Sequence, residues 1–299
     1  MTVNVAASSF VEKIVLYGVG LINGSLGLAL KERGFRGTIL GMGRRAETLE
    51  QALGRGAIDD YTLDTEKGLA EADLVVVGTP VDVVADVVAR LALHADPATI
   101  FSDVGSVKAC IVASCRERAP SARFVGAHPI AGSERTGVEA ARADLFEGAV
   151  CILTPPDDRQ DDAVEVVAAM WRGVGCRVLT MDAATHDALL AATSHLPHVA
   201  AAALVQVIAA ASDETQNALQ LAGNGYRDTT RIAQGAPELW APILMGNARH
   251  LEPLVRRLAR ELEHIADALA REDRDRVHQW LAESSRTRGA AFGERANRG

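Results

Sequence analysis

Along the first half of the chain, short apolar, β-prone runs close on Gly, Pro or Asp. They are KIVLYGVG (13–20), GTILGM (37–42), DLVVVGTP (73–80), TIFSDVGS (99–106), RFVGAHP (123–129) and AVCILTP (149–155), with RVLTM (177–181) as the last. Between them, apolar positions recur at helical spacing, as in SLGLALKERG (25–34) and VDVVADVVARLAL (81–93). Strands alternating with helices predict an α/β domain of Rossmann type, a doubly wound parallel sheet with helices on both faces. The unbroken apolar stretch LVVVG suits a strand covered on both sides.

After Met181 the pattern changes and no further strand is predicted. Residues 182–211 read as a long apolar helical stretch interrupted at Pro197, 214–222 and 238–271 also read as helical, and 254–272 has strong helical periodicity. The charged stretch 273–299 is expected to end in a frayed tail. A boundary near 181 follows, with a dinucleotide-binding domain over 1–181 and an all-α substrate and dimerisation domain over 182–299. A second half so rich in Ala and Leu buries an apolar face against something, and a second copy of the chain fits that need.

Composition narrows the function classes. A net charge of −8 without a basic stripe argues against nucleic acid, although one local arginine can still hold an anion. Cys110, Cys115, Cys151 and Cys176 lack the close spacing of a zinc or redox pair and read as buried small hydrophobes in a reducing compartment. The first ten residues lack the pattern of a signal peptide, and the apolar run 196–211 reads as too short to span a bilayer, so a cytoplasmic protein away from membranes is expected.

GVGLINGS (18–25) sits where the first strand meets a helix. A dinucleotide pyrophosphate needs a tight turn and free amides at a helix N-terminus. Gly18 and Gly20 supply turn and close approach, Leu21 and Ile22 open the helix, and Asn23 with Gly24 follows where a third glycine is usual. The second strand runs into Gly43-Arg44-Arg45 with no acid for a ribose hydroxyl, so Arg44 tilts the cofactor from NAD toward NADP. Thr79 and Pro80 end another strand at the ligand edge of the sheet. Ser106, past Asp103, reads either as a hydroxyl aimed at a ligand or as a helix N-cap.

In GAHPIAGSERTG (126–137), Pro129 and Gly132 exclude regular helix, and His128 is placed just past a strand end. A neutral imidazole there can take a proton from a hydroxyl. Glu134 stands close behind it to orient a ligand or gate the site. SHLPH (194–198) brings His195 and His198 together at a helix interruption with no Cys or acid to complete a metal set, so no metal is expected. GNGYRDTTRIA (223–233) gathers Arg227, Asp228 and Arg231, read either as an arginine fork for a carboxylate or as a solvated cluster with Asp228 or Thr229 as N-cap.

In order, GVGLINGS, GTP, DVGSVK, GAHPIAGSE, SHLPH and GYRDTTRIA resemble the prephenate/arogenate (cyclohexadienyl) dehydrogenase family of tyrosine biosynthesis, over about residues 12–270. The resemblance implies a nicotinamide-binding Rossmann domain, a helical dimerisation domain and oxidative decarboxylation of prephenate or arogenate. By motif, it makes His128 the catalytic histidine on the ring hydroxyl, Ser106 its neighbour toward the cofactor, and Arg231 the grip on a substrate carboxylate. His195, His198, Asp228 and Trp240 become pocket residues and Glu134 the gating or side-chain-sensing acid, while Asn23 departs from the family's glycine. Two other readings compete. Hydroxy-acid dehydrogenases of similar plan rely on a lysine in the helical half, and this chain has none after Lys108. A catalytically silent nucleotide sensor would have no need of the His–Ser–Arg set.

Overall fold

The computed structural model describes residues 11–133, 135–156, 162–214 and 218–293, and Glu134 lies outside them. Eight strands form one sheet: β1 (Lys13–Tyr17), β2 (Thr38–Met42), β3 (Asp60–Thr62), β4 (Leu74–Val77), β5 (Ile100–Asp103), β6 (Arg123–Pro129), β7 (Val150–Thr154) and β8 (Arg177–Thr180). Their order is β3-β2-β1-β4-β5-β6-β7-β8. The expected runs all become strands. β3 was not anticipated, because its three residues, DYT, carry no apolar run.

The parallel expectation fails at one joint. β6 and β7 pair antiparallel, while every other pair is parallel. A parallel return needs a crossover across a sheet face. Here the described residues of the connection hold only two 3₁₀ turns, Val138–Ala140 and Ala143–Phe146.

Helices α1 (Leu21–Glu32), α2 (Ala46–Gly54), α3 (Thr65–Leu69), α4 (Val84–Ala92), α5 (Ala109–Arg118) and α6 (Asp162–Gly173) accompany the sheet. Alternation along the strands feeds two cores. Ile14, Leu16, Leu74 and Val76 join one with Leu26 and Trp171, whereas Val15, Tyr17, Val75 and Val77 join the other with Phe101 and Ile111. This is the double coverage that LVVV demanded.

Next come α7 (Ala183–Leu190), a π-helical turn (Ala191–His195) and α8 (Leu196–Glu214), followed by α9 (Asn224–Thr230), α10 (Pro237–Gly246), α11 (Ala248–Ala270) and α12 (Arg274–Gly293). Two expectations are corrected here. The chain does not break at Pro197: the π turn carries the helix on, and the 28-residue span Ala183–Ala210 within it is long and apolar enough by length and composition to cross a membrane. That run nevertheless carries buried His186, Asp187, His195 and His198, and the first three hydrogen-bond within the protein. Residues 274–293 form a helix, and the tail end expected to fray, 294–299, lies outside the described residues. Cys110 is exposed, while the other three cysteines are buried, and all four are free thiols.

By compactness the chain forms two units, Met1–Ala248 and Arg249–Gly299. The first includes α7 to α10 because α7 packs on α5 and β7. The second is the remainder of α11 with α12, joined through Glu272 at φ 55° and closed by Asp273 accepting from the Arg276 amide at 3.0 Å.

Candidate active site

The sheet changes its winding direction between β1 and β4, and the glycine loop sits at the carboxyl end of that pair, where open α/β sheets bind ligands. Gly18 has φ +80°, and a Cβ there would meet the Gly78 carbonyl oxygen at 2.9 Å, so only glycine fits. Gly20 precedes α1 without a side-chain cap on the helix, and a Cβ there would meet nothing within 4 Å. An uncapped helix start beside open space is what a pyrophosphate requires. A Cβ on Gly24 would lie 2.9 Å from Val138 Cγ2 and 3.0 Å from Ala141 Cβ, so this glycine lets α1 approach the 3₁₀ turn. Leu21 and Ile22 are half-buried in the first turn.

Asn23 has a structural duty. Its buried Nδ2 donates to the carbonyls of Tyr17 (3.3 Å), Gly18 (3.2 Å) and Val76 (3.0 Å), tying β1, the turn and β4 together. A Cβ on Gly78 would sit 2.6 Å from that nitrogen, so the glycine at 78 makes room for the Asn23 amide. Thr79 Oγ1 is buried without a hydrogen-bond partner, a polar atom waiting at the crevice wall, and Pro80 beside it is exposed. Arg44 is exposed just past β2, and no carboxylate lies between Met42 and Ala46. These features fit a nicotinamide dinucleotide.

His128 is inside β6, not beyond it. Its register partner is Ile152 of β7, and Ile130 N–H donates to Val150 O at 2.7 Å. β5 pairs β6 only as far as Val125, so His128 clears β5 while β7 still holds it rigid. Below it, Lys108 forms a fully buried ion pair with Asp103 and donates to Ala127 O at 2.9 Å, while Ala127 N–H donates to Asp103 Oδ1 at 3.1 Å. Burial holds the His128 pKa well below 6.5, helped by the neighbouring His186, Lys108 and His195, so the imidazole is neutral.

His128 Nδ1 lies 2.8 Å from His186 Nε2, and His186 Nδ1 lies 2.8 Å from Asp187 Oδ1. Asp187 also accepts the amides of Lys108 (2.8 Å) and Ala109 (2.9 Å), capping α5 from another helix. Burial alone would raise the Asp187 pKa, but the His186 bond and the two amides outweigh it and the net shift is downward, so the group is a carboxylate. Asn247 Nδ2 donates to Asp187 O (2.7 Å) and lies 3.1 Å from His195 Nδ1. Burial brings His195 down to about 4 and also lowers His198. His198 stacks on Trp240 at 3.5 Å between ring centroids, and His195 meets the same indole edge-on at 6.3 Å.

Ser106 is half-buried in the β5–α5 connection; it is not an N-cap, since that position is Lys108 and the cap oxygens come from Asp187. Asp228 and Thr229 are not caps either, because α9 starts after Gly223. Asp228 is exposed on α9. Arg231 is exposed on a 3₁₀ turn, Arg231–Gln234, that packs along α8. That turn ends at Gly235, where a Cβ would fall 2.2 Å from Trp240 Nε1 and 3.1 Å from His198 Cε1, so the Arg231 segment reaches the histidine wall. Asp103, Lys108, His186, Asp187 and Asn247 were missed. The available signal was the pair His186-Asp187 inside an otherwise apolar helix, since polar groups on an apolar face require partners.

A Rossmann crevice with an uncapped glycine turn and a rigid, neutral histidine at the same sheet edge defines a nicotinamide-dependent dehydrogenase. The family model "Prephenate dehydrogenase, nucleotide-binding domain" matches residues 26–180, and "Prephenate dehydrogenase, dimerization domain" matches 182–283. The chain belongs to the prephenate dehydrogenase family. It is 33% identical to prephenate dehydrogenase of Bacillus subtilis, over 90% of this chain and 73% of that one. It is 31% identical to cyclohexadienyl dehydrogenase of Zymomonas mobilis, over 93% and 95% of the two chains. Among solved structures, prephenate dehydrogenase from Aquifex aeolicus in complex with hydroxyphenyl propionate and NAD+ superposes with TM-score 0.86 at 30% identity, over 94% of this chain and 98% of that one. Synechocystis arogenate dehydrogenase superposes with TM-score 0.78 at 29% identity, over 93% and 99%.

Proposed function

We propose that this enzyme oxidatively decarboxylates prephenate to 4-hydroxyphenylpyruvate, or arogenate to tyrosine, with His128 as the base. The observation that carries the reading is the neutral imidazole fixed at the sheet edge beside the glycine loop. The substrate is a cyclohexadiene with a ring hydroxyl opposite a carboxylate. His128 accepts the hydroxyl proton as that carbon is oxidised. A bound nicotinamide supplies the acceptor for the hydride that leaves the same carbon. The bond to the opposite carboxylate breaks, carbon dioxide departs, and its electron pair runs through the ring to the oxygen. The resulting phenolate takes the proton back from His128, so there is no net proton change. Aromatisation drives the step, which leaves the chain to position the ring and hold one proton.

Gly18, Gly20, Leu21, Ile22, Gly24, Thr79 and Pro80 would hold the dinucleotide. Exposed Arg44, with no carboxylate between Met42 and Ala46, supports NADP for the adenosine ribose. Ser106 is assigned to the substrate hydroxyl and Arg231 to a substrate carboxylate, with His195, His198, Trp240, Asp228 and Glu134 around the side chain. A homodimer through the helical half is supported by exposed Leu262, Leu269 and Leu281 on α11 and α12. Purified enzyme given prephenate or arogenate, each with NAD+ or NADP+, tests the reading through reduced-nicotinamide absorbance. Turnover of at least one substrate is expected, with lower KM for NADP+, and Arg44→Ala is expected to remove that preference. No turnover of either substrate contradicts it. Light scattering of the purified chain checks the dimer.

A further inference from the structure

Hydrogen-bond geometry around the two site histidines fixes where their protons sit. Asp187 is a carboxylate and can only accept, so a singly protonated His186 donates from Nδ1 and keeps a lone pair on Nε2. His128 Nδ1, 2.8 Å from that lone pair, must therefore carry the hydrogen. Its Nε2 is left as the basic nitrogen, and no hydrogen bond to it is present among the described residues. On the other side, Asn247 Nδ2 is identified by its bond to the Asp187 carbonyl, which cannot donate. The same Nδ2 faces His195 Nδ1, so that nitrogen must accept. His195 therefore carries its hydrogen on Nε2, which is buried without a partner.

We propose that Asp187, His186 and Asn247 are positioning residues that impose opposite tautomers on the two histidines: His128 with Nε2 ready to accept, His195 with Nε2–H ready to donate. The inference rests on the reading of His128 as the base and says how that base is kept in its working form. One residue, Asp187, connects the two. The Asp187 side chain sets His128 through His186, and its backbone carbonyl anchors the amide that sets His195. Asp187 also caps α5, so the proton arrangement is tied to the packing of α7 on the sheet domain. An isolated imidazole in water favours the Nε2–H form, so the arrangement at His128 is the one that needs enforcing. A wrong tautomer would leave a hydrogen where the substrate's proton must arrive.

The test is nitrogen NMR of the full chain carrying 15N-histidine, with the two rings assigned by His128→Gln and His195→Gln. At neutral pH, His128 is expected with hydrogen on Nδ1 and His195 with hydrogen on Nε2. In His186→Phe, which keeps a ring against His128, the His128 signal should shift toward the Nε2–H form. The same variant should lose about tenfold to a thousandfold in kcat with KM within a few-fold. A wild-type spectrum with hydrogen on His128 Nε2 overturns the proposal, as does a folded His186→Phe enzyme with unchanged tautomer and kcat. If His186→Phe does not fold, the wild-type spectrum alone decides. Predicted tautomers in a protein that turns over neither substrate would undo the functional reading and leave this one standing.

Discussion

Lys108 and Asp103 face each other as an ion pair with both side chains fully buried, and between them they hold both backbone polar groups of Ala127, the residue before His128. Removing one member leaves a buried charge without its partner, at a cost of about 3–5 kcal/mol. Lys108→Met is expected to lower the unfolding free energy by that order, whereas Lys108→Met with Asp103→Leu recovers most of the loss. Denaturant titration of the two variants checks this. Equal losses in single and double variants would show that the charge pairing is not what the site depends on.

The glycine loop separates cofactor binding from folding. Gly20→Ala adds a methyl into open space at φ −95°, so stability should hold while dinucleotide affinity falls. Gly24→Ala drives a methyl against Val138 and Ala141 and should destabilise by about 1–3 kcal/mol. Thermal melts and cofactor titrations of the pair distinguish the two roles.

Buried neutral histidines make stability fall toward acid. The unfolded chain takes up protons near pH 6.5, whereas folded His195 does so only near 4 and folded His128 well below 6.5. The unfolded state therefore binds more protons in this window, and the contribution present above 6.5 is lost as pH falls toward 4. Unfolding free energy should drop by an amount on the order of 1–3 kcal/mol between pH about 7 and about 5. His195→Gln should flatten part of that slope in pH-dependent denaturation curves.

Arg231 is exposed on its turn, so its replacement should leave folding intact and act on substrate. Arg231→Ala is expected to raise KM about tenfold or more with a smaller change in kcat, since binding to a carboxylate persists from ground state to transition state. Steady-state kinetics at saturating cofactor measures the split.

Most of the fold was legible because apolar runs and helical spacing report burial directly. The strand DLVVVGTP declared its two-sided coverage, and β4 has it. β3 escaped because it has no apolar run, and the β7 reversal escaped because strand direction depends on what crosses the sheet. At the site, His128 was legible from its strand and proline, yet its rigidity comes from β7, whose Ile152 pairs with it from 24 residues further along the chain. Asp187 was invisible as a cap of α5, since a cap supplied from 78 residues away leaves no local pattern. Asn23 was read as a missing glycine because spacing cannot show three carbonyls converging on one amide.

The central claim is that the His128 imidazole takes the proton from the substrate hydroxyl. Single-turnover formation of reduced nicotinamide by wild type and His128→Asn, each saturated with substrate and cofactor, tests it most directly. A loss of about a hundredfold to ten-thousandfold in the variant, with substrate KM changed little, is the expected result. A His128→Asn enzyme that turns over at the wild-type rate would contradict it.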